Sequence, residues 1–146
     1  MPFRFSLAAV LRIRESLEHK EQLALEQCYR QLFSLQQHLS KQDEHISRIR
    51  AGYEELVMRG SKAADLQELL EQRFQAERQR EAILQQLTEA QEKLRQQIDR
   101  YRSARQQRET VGQVRSSRFE EYQKRESLAE QKGRDDLFLL RRQRRK

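Results

Sequence analysis

His38 and His45 stand seven residues apart, so on a helix they share one face. Two imidazoles placed that way could bridge a metal ion. Neither His19 nor Cys28 falls at a spacing that supplies further ligands. Glutamate–arginine pairs such as Glu77 with Arg80 recur along the chain. On a solvated helix such pairs hold ions together and move no protons. There is no P-loop, no glycine-rich phosphate cradle and no HExxH. The residues therefore predict a protein that is not an enzyme, with no catalytic, cofactor or metal site.

What must position these residues follows from composition. Of 146 residues, 36% are charged and only 36% hydrophobic; tryptophan is absent and mean hydropathy is −1.08. That is too little apolar mass for a layered core. It fits either disorder or a long coiled coil, where a narrow apolar seam suffices. One proline and four glycines are few for disorder and favour helix. The net charge is +7, of which the tail Arg141–Lys146 holds five, leaving +2 for the rest. A basic end suits nucleic acid, anionic lipid or an acidic protein surface. The single cysteine, Cys28, excludes an intrachain disulfide. The longest apolar run, Leu7 to Leu11, is too short to span a bilayer or to form a signal-peptide core. A reduced, cytosolic protein is expected.

No glycine or proline interrupts Phe3 to Ala51 or Ser61 to Val111, and good helix formers dominate both stretches. The expected fold is all-α, a single antiparallel coiled-coil hairpin of two long helices. Helix 1 should span about residues 4–58, the turn about 59–64 and helix 2 about 65–140, with a basic tail over 141–146. Gly60 is placed to end the first helix in a left-handed conformation, Ser61 or Asp65 to cap the second, and Ser6 to cap the first. Leu25, Leu32, Leu39, Ile46 and Tyr53 repeat every seven residues, interleaved with Cys28, Leu35, Gln42, Ile49 and Leu56. Upstream, Leu7, Val10 and Leu17 continue a stripe interrupted by Arg14 and Glu21, which predicts a change of phase before Leu25. In the second helix Leu66, Leu70, Phe74, Leu84, Leu87, Leu94, Ile98 and Tyr101 form the expected seam, with Gln91 as its polar member. After Tyr101 the apolar signal thins, so the half near the termini should be looser.

About 55 residues at a rise of ~1.5 Å make a rod of roughly 80 Å. Folding near residue 61 sets Leu7 near Arg115 and carries Leu137 to Leu140 beyond the end of the partner helix. Phe3 and Phe5 should lie at the same end. The reading is of one uncovered apolar tip built from both termini.

The front of the chain resembles a known family. Phe3-x-Phe5-x-Leu7-x-x-Val10-Leu11-x-x-Arg14-x-x-x-Glu18 is similar to the start of the FliJ family of flagellar type III export proteins. The motif covers about 16 residues; length, helix–turn–helix plan and basic C-terminus extend the likeness along the chain. The resemblance implies a non-enzymatic stalk inserted in a hexameric export ATPase and stimulating it. It also implies contacts with the cytosolic domain of a membrane export gate and with export chaperones. Phe3, Phe5, Leu7, Leu137, Phe138 and Leu140 would then face the ATPase ring. Leu69, Arg73, Ala76 and Arg80 map onto the gate-contacting surface, although the two arginines depart from the expected pattern. Such a protein would be cytoplasmic and peripheral to the inner-membrane export apparatus.

Two other classes compete with this reading. One is a structural coiled coil, either a generic cytosolic scaffold or a virulence-type secretion stalk. The other is a nucleic-acid-binding helical hairpin. The body's charge is near balance and no aromatics interleave with the basic tail, so no nucleic acid is expected.

Overall fold

The computed structural model describes residues 2–145. Two helices, α1 (Ala8–Met58) and α2 (Ala63–Arg144), pack against each other as an antiparallel hairpin. The chain divides into two compact units: Glu21–Tyr101, which holds the turn, and Met1–Lys20 together with Arg102–Lys146.

In the turn-bearing unit, Gly60 takes a φ of 70° and closes α1. The Ser61 N–H donates to the Leu56 carbonyl at 3.1 Å and the Gly60 N–H to that of Val57 at 3.2 Å. This is a Schellman closure, which needs a left-handed residue and satisfies carbonyls that the helix end would orphan. Neither Ser61 nor Asp65 caps α2. Lys62 occupies the cap position and its carbonyl accepts from the Asp65 N–H at 3.1 Å. Asp65 lies inside the first turn, where a carboxylate suits the positive end of the helix dipole.

The seam of α1 follows the heptad from Leu25 to Leu56, and Ile46 and Ile49 are its buried centre. Of the expected α2 seam, Leu66, Leu84, Leu87, Leu94, Ile98 and Tyr101 are half-buried, while three members depart from it. Leu70 and Phe74 lie in solvent, Phe74 at 60% exposure, and Gln91 is exposed as well. Buried or half-buried beside the six are Leu69, Arg73, Ala76, Arg80, Ile83, Ala90 and Gln97, which the expected seam did not include. Ala76, 2% exposed, clusters with Ile46 and Ile49. Small residues on α2 let the helices approach closely enough to bury the isoleucines of α1.

In the unit formed by the two chain ends, the expected change of phase is absent. The inward residues are Leu7, just before α1, and Leu11, Arg14 and Glu18 within it, and the same three–four spacing leads on through Glu21 to Leu25. Val10 and Leu17 are exposed. Polar residues occupy seam positions there because each finds a partner on α2. Arg14 donates to Gln107 at 2.6 Å, and Arg108 forks onto Glu18. Helix 1 also starts later than expected, at Ala8, because the preceding residues fold back across α2. Ser6 does not act as a side-chain cap; its hydroxyl accepts from Arg118 at 2.7 Å. Helix 2 runs further than expected, to Arg144, so the basic tail is helical over 141–144. Lys146, the tail's last residue, lies outside the described residues.

Candidate functional site

The expected apolar tip separates into a covered part and a bare part. Phe3 meets the Phe119 ring edge-on, with centroids 5.1 Å apart and planes at 71°, and lies 5.4 Å from the Tyr122 ring. Phe5 is buried to 9% exposure, and the Arg118 guanidinium sits 5.6 Å from its ring centre. Leu7 is half-buried and Leu11 buried behind them. Phe3 and Phe5 are therefore not uncovered groups. The expectation failed because Phe119 and Tyr122, three residues apart on one face of α2, lie level with the N-terminus and supply its cover. That spacing was visible in the sequence, within a stretch read as thin. Burial, together with the charge and hydrogen bond of Glu126, pushes the Tyr122 phenol above its ordinary pKa.

The bare part is the C-terminal end of α2. Every residue from 127 to 145 is exposed. Leu137, Phe138, Leu139 and Leu140 each show more than half of their surface. Four consecutive apolar residues at 100° per step ring the helix completely, so no single face of it is polar. Phe138 lies nineteen residues beyond Phe119, roughly 28 Å along the helix axis. The two apolar groups are thus separate, one closed and one open. Arg141, Arg142, Arg144 and Arg145 follow the open one directly.

The residues mapped to a gate contact also fall differently from expectation. Leu69, Arg73, Ala76 and Arg80 form the inward stripe of α2, and Ala76 is sealed against α1. Arg80 donates to Asp43 of α1 at 2.6 Å, and Arg73 pairs with Glu77 at 3.1 Å. They hold the hairpin, and an incoming protein would have to open it to reach Ala76. The outward residues of the same stretch are Leu70 and Phe74, with Arg78 5.8 Å above the Phe74 ring.

Polar links across the seam went unread in the sequence. Gln42 donates to the Ala76 carbonyl at 2.8 Å and to Gln79 at 3.3 Å. Gln97, buried, donates to the Glu21 carbonyl at 3.1 Å and to its carboxylate. The Arg108 fork holds the Glu18 carboxyl below the usual carboxylate range against a smaller opposing effect of burial. Glu18 in turn raises the Arg108 guanidinium. Cys28 lies half-buried on the seam, and His38 and His45 are exposed. Among the described residues no group of three or more His, Cys, Asp or Glu could hold a metal ion, and no helix is long and apolar enough to cross a membrane. No protein-family model, curated protein or solved structure matches this chain.

Proposed function

We propose that the chain is a FliJ-like, non-enzymatic component of a flagellar type III export apparatus, acting as a stalk that enters the export ATPase ring and stimulates it. The observation that carries this reading is the last part of α2, an apolar turn left exposed among the described residues, with four arginines beyond it. A helix end that is apolar all round suits a socket that encloses it, as the pore of a ring does. The front motif from Phe3 to Glu18 supplies the family likeness. In this reading Leu137, Phe138 and Leu140 enter the ring, while Phe3, Phe5 and Leu7 brace the base of the extension.

Burying each Phe or Leu is worth roughly 1.5–3 kcal/mol before the costs of association. Three such groups approach the ~8 kcal/mol of a micromolar complex. The arginines add attraction to an acidic rim, which fades with salt. Linkage to an export gate and to chaperones follows from the same family likeness, with Leu70 and Phe74 as the outward surface available near the turn. The protein would then work in the cytoplasm, at the periphery of the inner-membrane apparatus.

The test is ATPase stimulation and pull-down with a purified hexameric export ATPase, comparing wild type with the double variant Leu137→Ser, Phe138→Ser. Both positions are exposed, so helicity should persist while stimulation and capture fall at least about fivefold. A folded double variant that stimulates as well as wild type overturns the stalk reading.

A further inference from the structure

The bare turn of α2 is bracketed by opposite charges. The order along the helix is Asp135, Asp136, then Leu137 to Leu140, then Arg141, Arg142. Two carboxylates stand on one side of four apolar residues and two guanidiniums on the other, with no gap between. All eight residues are exposed on a continuous helix that has run past the end of its partner. None of the eight takes part in the helix's own neighbouring ion pairs, which join Arg134 to Glu130 and Arg125 to Glu121.

We propose that this turn pairs antiparallel with the same turn of a second copy of the chain. Reversed about the point between Phe138 and Leu139, the segment lies on itself in complement. Asp135, Phe138, Leu139 and Arg142 share one helix face, so Asp135 of one copy meets Arg142 of the second, and Phe138 and Leu139 of the two copies cover each other; Asp136, Leu137, Leu140 and Arg141 lie to the flanks. Because the two helices are identical, each contact occurs twice, as a two-fold interface requires. A parallel pairing would instead set carboxylate level with carboxylate and arginine with arginine, which is repulsive. The charge order therefore selects both the partner and its direction. The apolar turn supplies the attraction, and the flanking pairs fix the register.

Other occupants fit the charge order less well. An anionic membrane or a nucleic acid would attract the arginines but repel Asp135 and Asp136 beside the same turn. Self-pairing uses both signs. It leaves Lys132 level with Arg145 at the outer edge, so the interface should end there. It does not rest on the export reading, since it requires only the isolated chain.

The experiment is sedimentation of the full-length protein across a range of concentrations, with two charge-reversed variants, Asp135→Arg with Asp136→Arg, and Arg141→Asp with Arg142→Asp. Wild type should pass from monomer to dimer within the micromolar range. Each variant alone should weaken dimerisation at least about tenfold, since each then sets like charges level with like. An equimolar mixture of the two should recover dimers, because one now carries arginines on both sides of the turn and the other aspartates. All substituted positions are exposed, and unchanged circular dichroism checks that the hairpin is intact. A wild-type chain that stays monomeric overturns the proposal, including one that sediments with anionic vesicles while monomeric. Dimerisation indifferent to either reversal overturns it too, and a mixture that fails to recover dimers refutes the antiparallel register.

Discussion

Arg108 holds Glu18 with two hydrogen bonds across the hairpin, Nε to Oε2 at 2.6 Å and Nη2 to Oε1 at 3.2 Å. The fork stands at a seam position that a coiled coil would ordinarily fill with leucine. It lowers the Glu18 pKa, the hydrogen bond being the larger cause, with the nearby charges of Arg108 and Arg105 adding to it. A carboxylate whose folded pKa is depressed stabilises the fold above its unfolded value, and that contribution is lost as pH falls through the folded value. Wild type should therefore melt above the Glu18→Gln variant at neutral pH. The gap should hold down to the ordinary value of 4.5 and close on further acidification. Melting curves of both proteins across this range check it; a gap independent of pH would remove the ion pair from the stability of this unit.

The two seam glutamines should limit stability while fixing alignment. Gln42 reaches the Ala76 carbonyl at 2.8 Å, a bond available only when these two residues are level. Replacing Gln42 with leucine adds apolar burial and leaves behind a carbonyl that its own helix can still satisfy. Stability should rise by about 1–2 kcal/mol, and the population of alternative oligomers should increase. Denaturation and sedimentation of Gln42→Leu measure the two effects separately.

Two glycines should respond in opposite directions. Gly112 lies inside α2, and a Cβ built there meets nothing within 4 Å. Gly112→Ala should stabilise by about 0.5–1 kcal/mol by removing backbone freedom from the unfolded chain. Gly60 also has open space around it, but its φ of +70° belongs to the left-handed region. Gly60→Ala should cost about 1–2 kcal/mol through backbone strain alone. Thermal melts of the two variants should bracket wild type.

Position in the seam, and not side-chain type, should decide the effect of truncation near the turn. Ile46 is buried against Ala76, whereas Phe74 stands 60% exposed on the opposite side of its helix from the seam's course. Ile46→Ala should cost roughly 2–4 kcal/mol and Phe74→Ala less than about 0.5 kcal/mol. Urea unfolding followed by far-UV circular dichroism would show it.

This contrast explains what could be read from the sequence. The α1 seam from Leu25 to Leu56 was legible because nine of its ten positions are non-polar or aromatic and its one glutamine keeps the period. The front of α1 was misread because Arg14, Glu18 and Glu21 carry the seam on polar bonds, while Val10 and Leu17 face out. In α2 the large residues Leu70 and Phe74 drew the pattern off its true line, which passes through Ala76, Ala90 and Gln97. Hydrophobicity reports burial only where burial is apolar. Cross-helix hydrogen bonds and alanine's closeness depend on the partner helix, which a single segment does not display. The bare turn at Leu137 was legible, since folding near residue 61 carries residues 137–140 past the start of α1. The cover over Phe3 was not, because its aromatic partners lie more than a hundred residues away in sequence.

That cover yields the last prediction. Phe3 leans on Phe119 and Tyr122, and Phe5 lies beneath Arg118, so the non-helical N-terminus clamps α2 just before its bare extension begins. Burial of the Tyr122 phenol raises its pKa, with the charge and hydrogen bond of Glu126 contributing after it. A phenol whose folded pKa is raised stabilises the fold below its unfolded value, and the contribution is lost as pH rises through the folded one. Wild type should therefore loosen this unit on alkaline titration. Phe3→Ser with Phe5→Ser removes the cover. The Tyr122 pKa should then move back towards the ordinary 10.0, leaving whatever Glu126 still contributes. Amide exchange should accelerate around Phe119 and Tyr122, where the clamp sat, while the seam around Ile46 and Ile49 keeps its protection. Alkaline titration of the Tyr122 ring resonances and hydrogen exchange on both proteins test the two halves of this. If Tyr122 titrates identically with and without the phenylalanines, the N-terminus is not what shields it, and the clamp does not govern the order of the extension beyond.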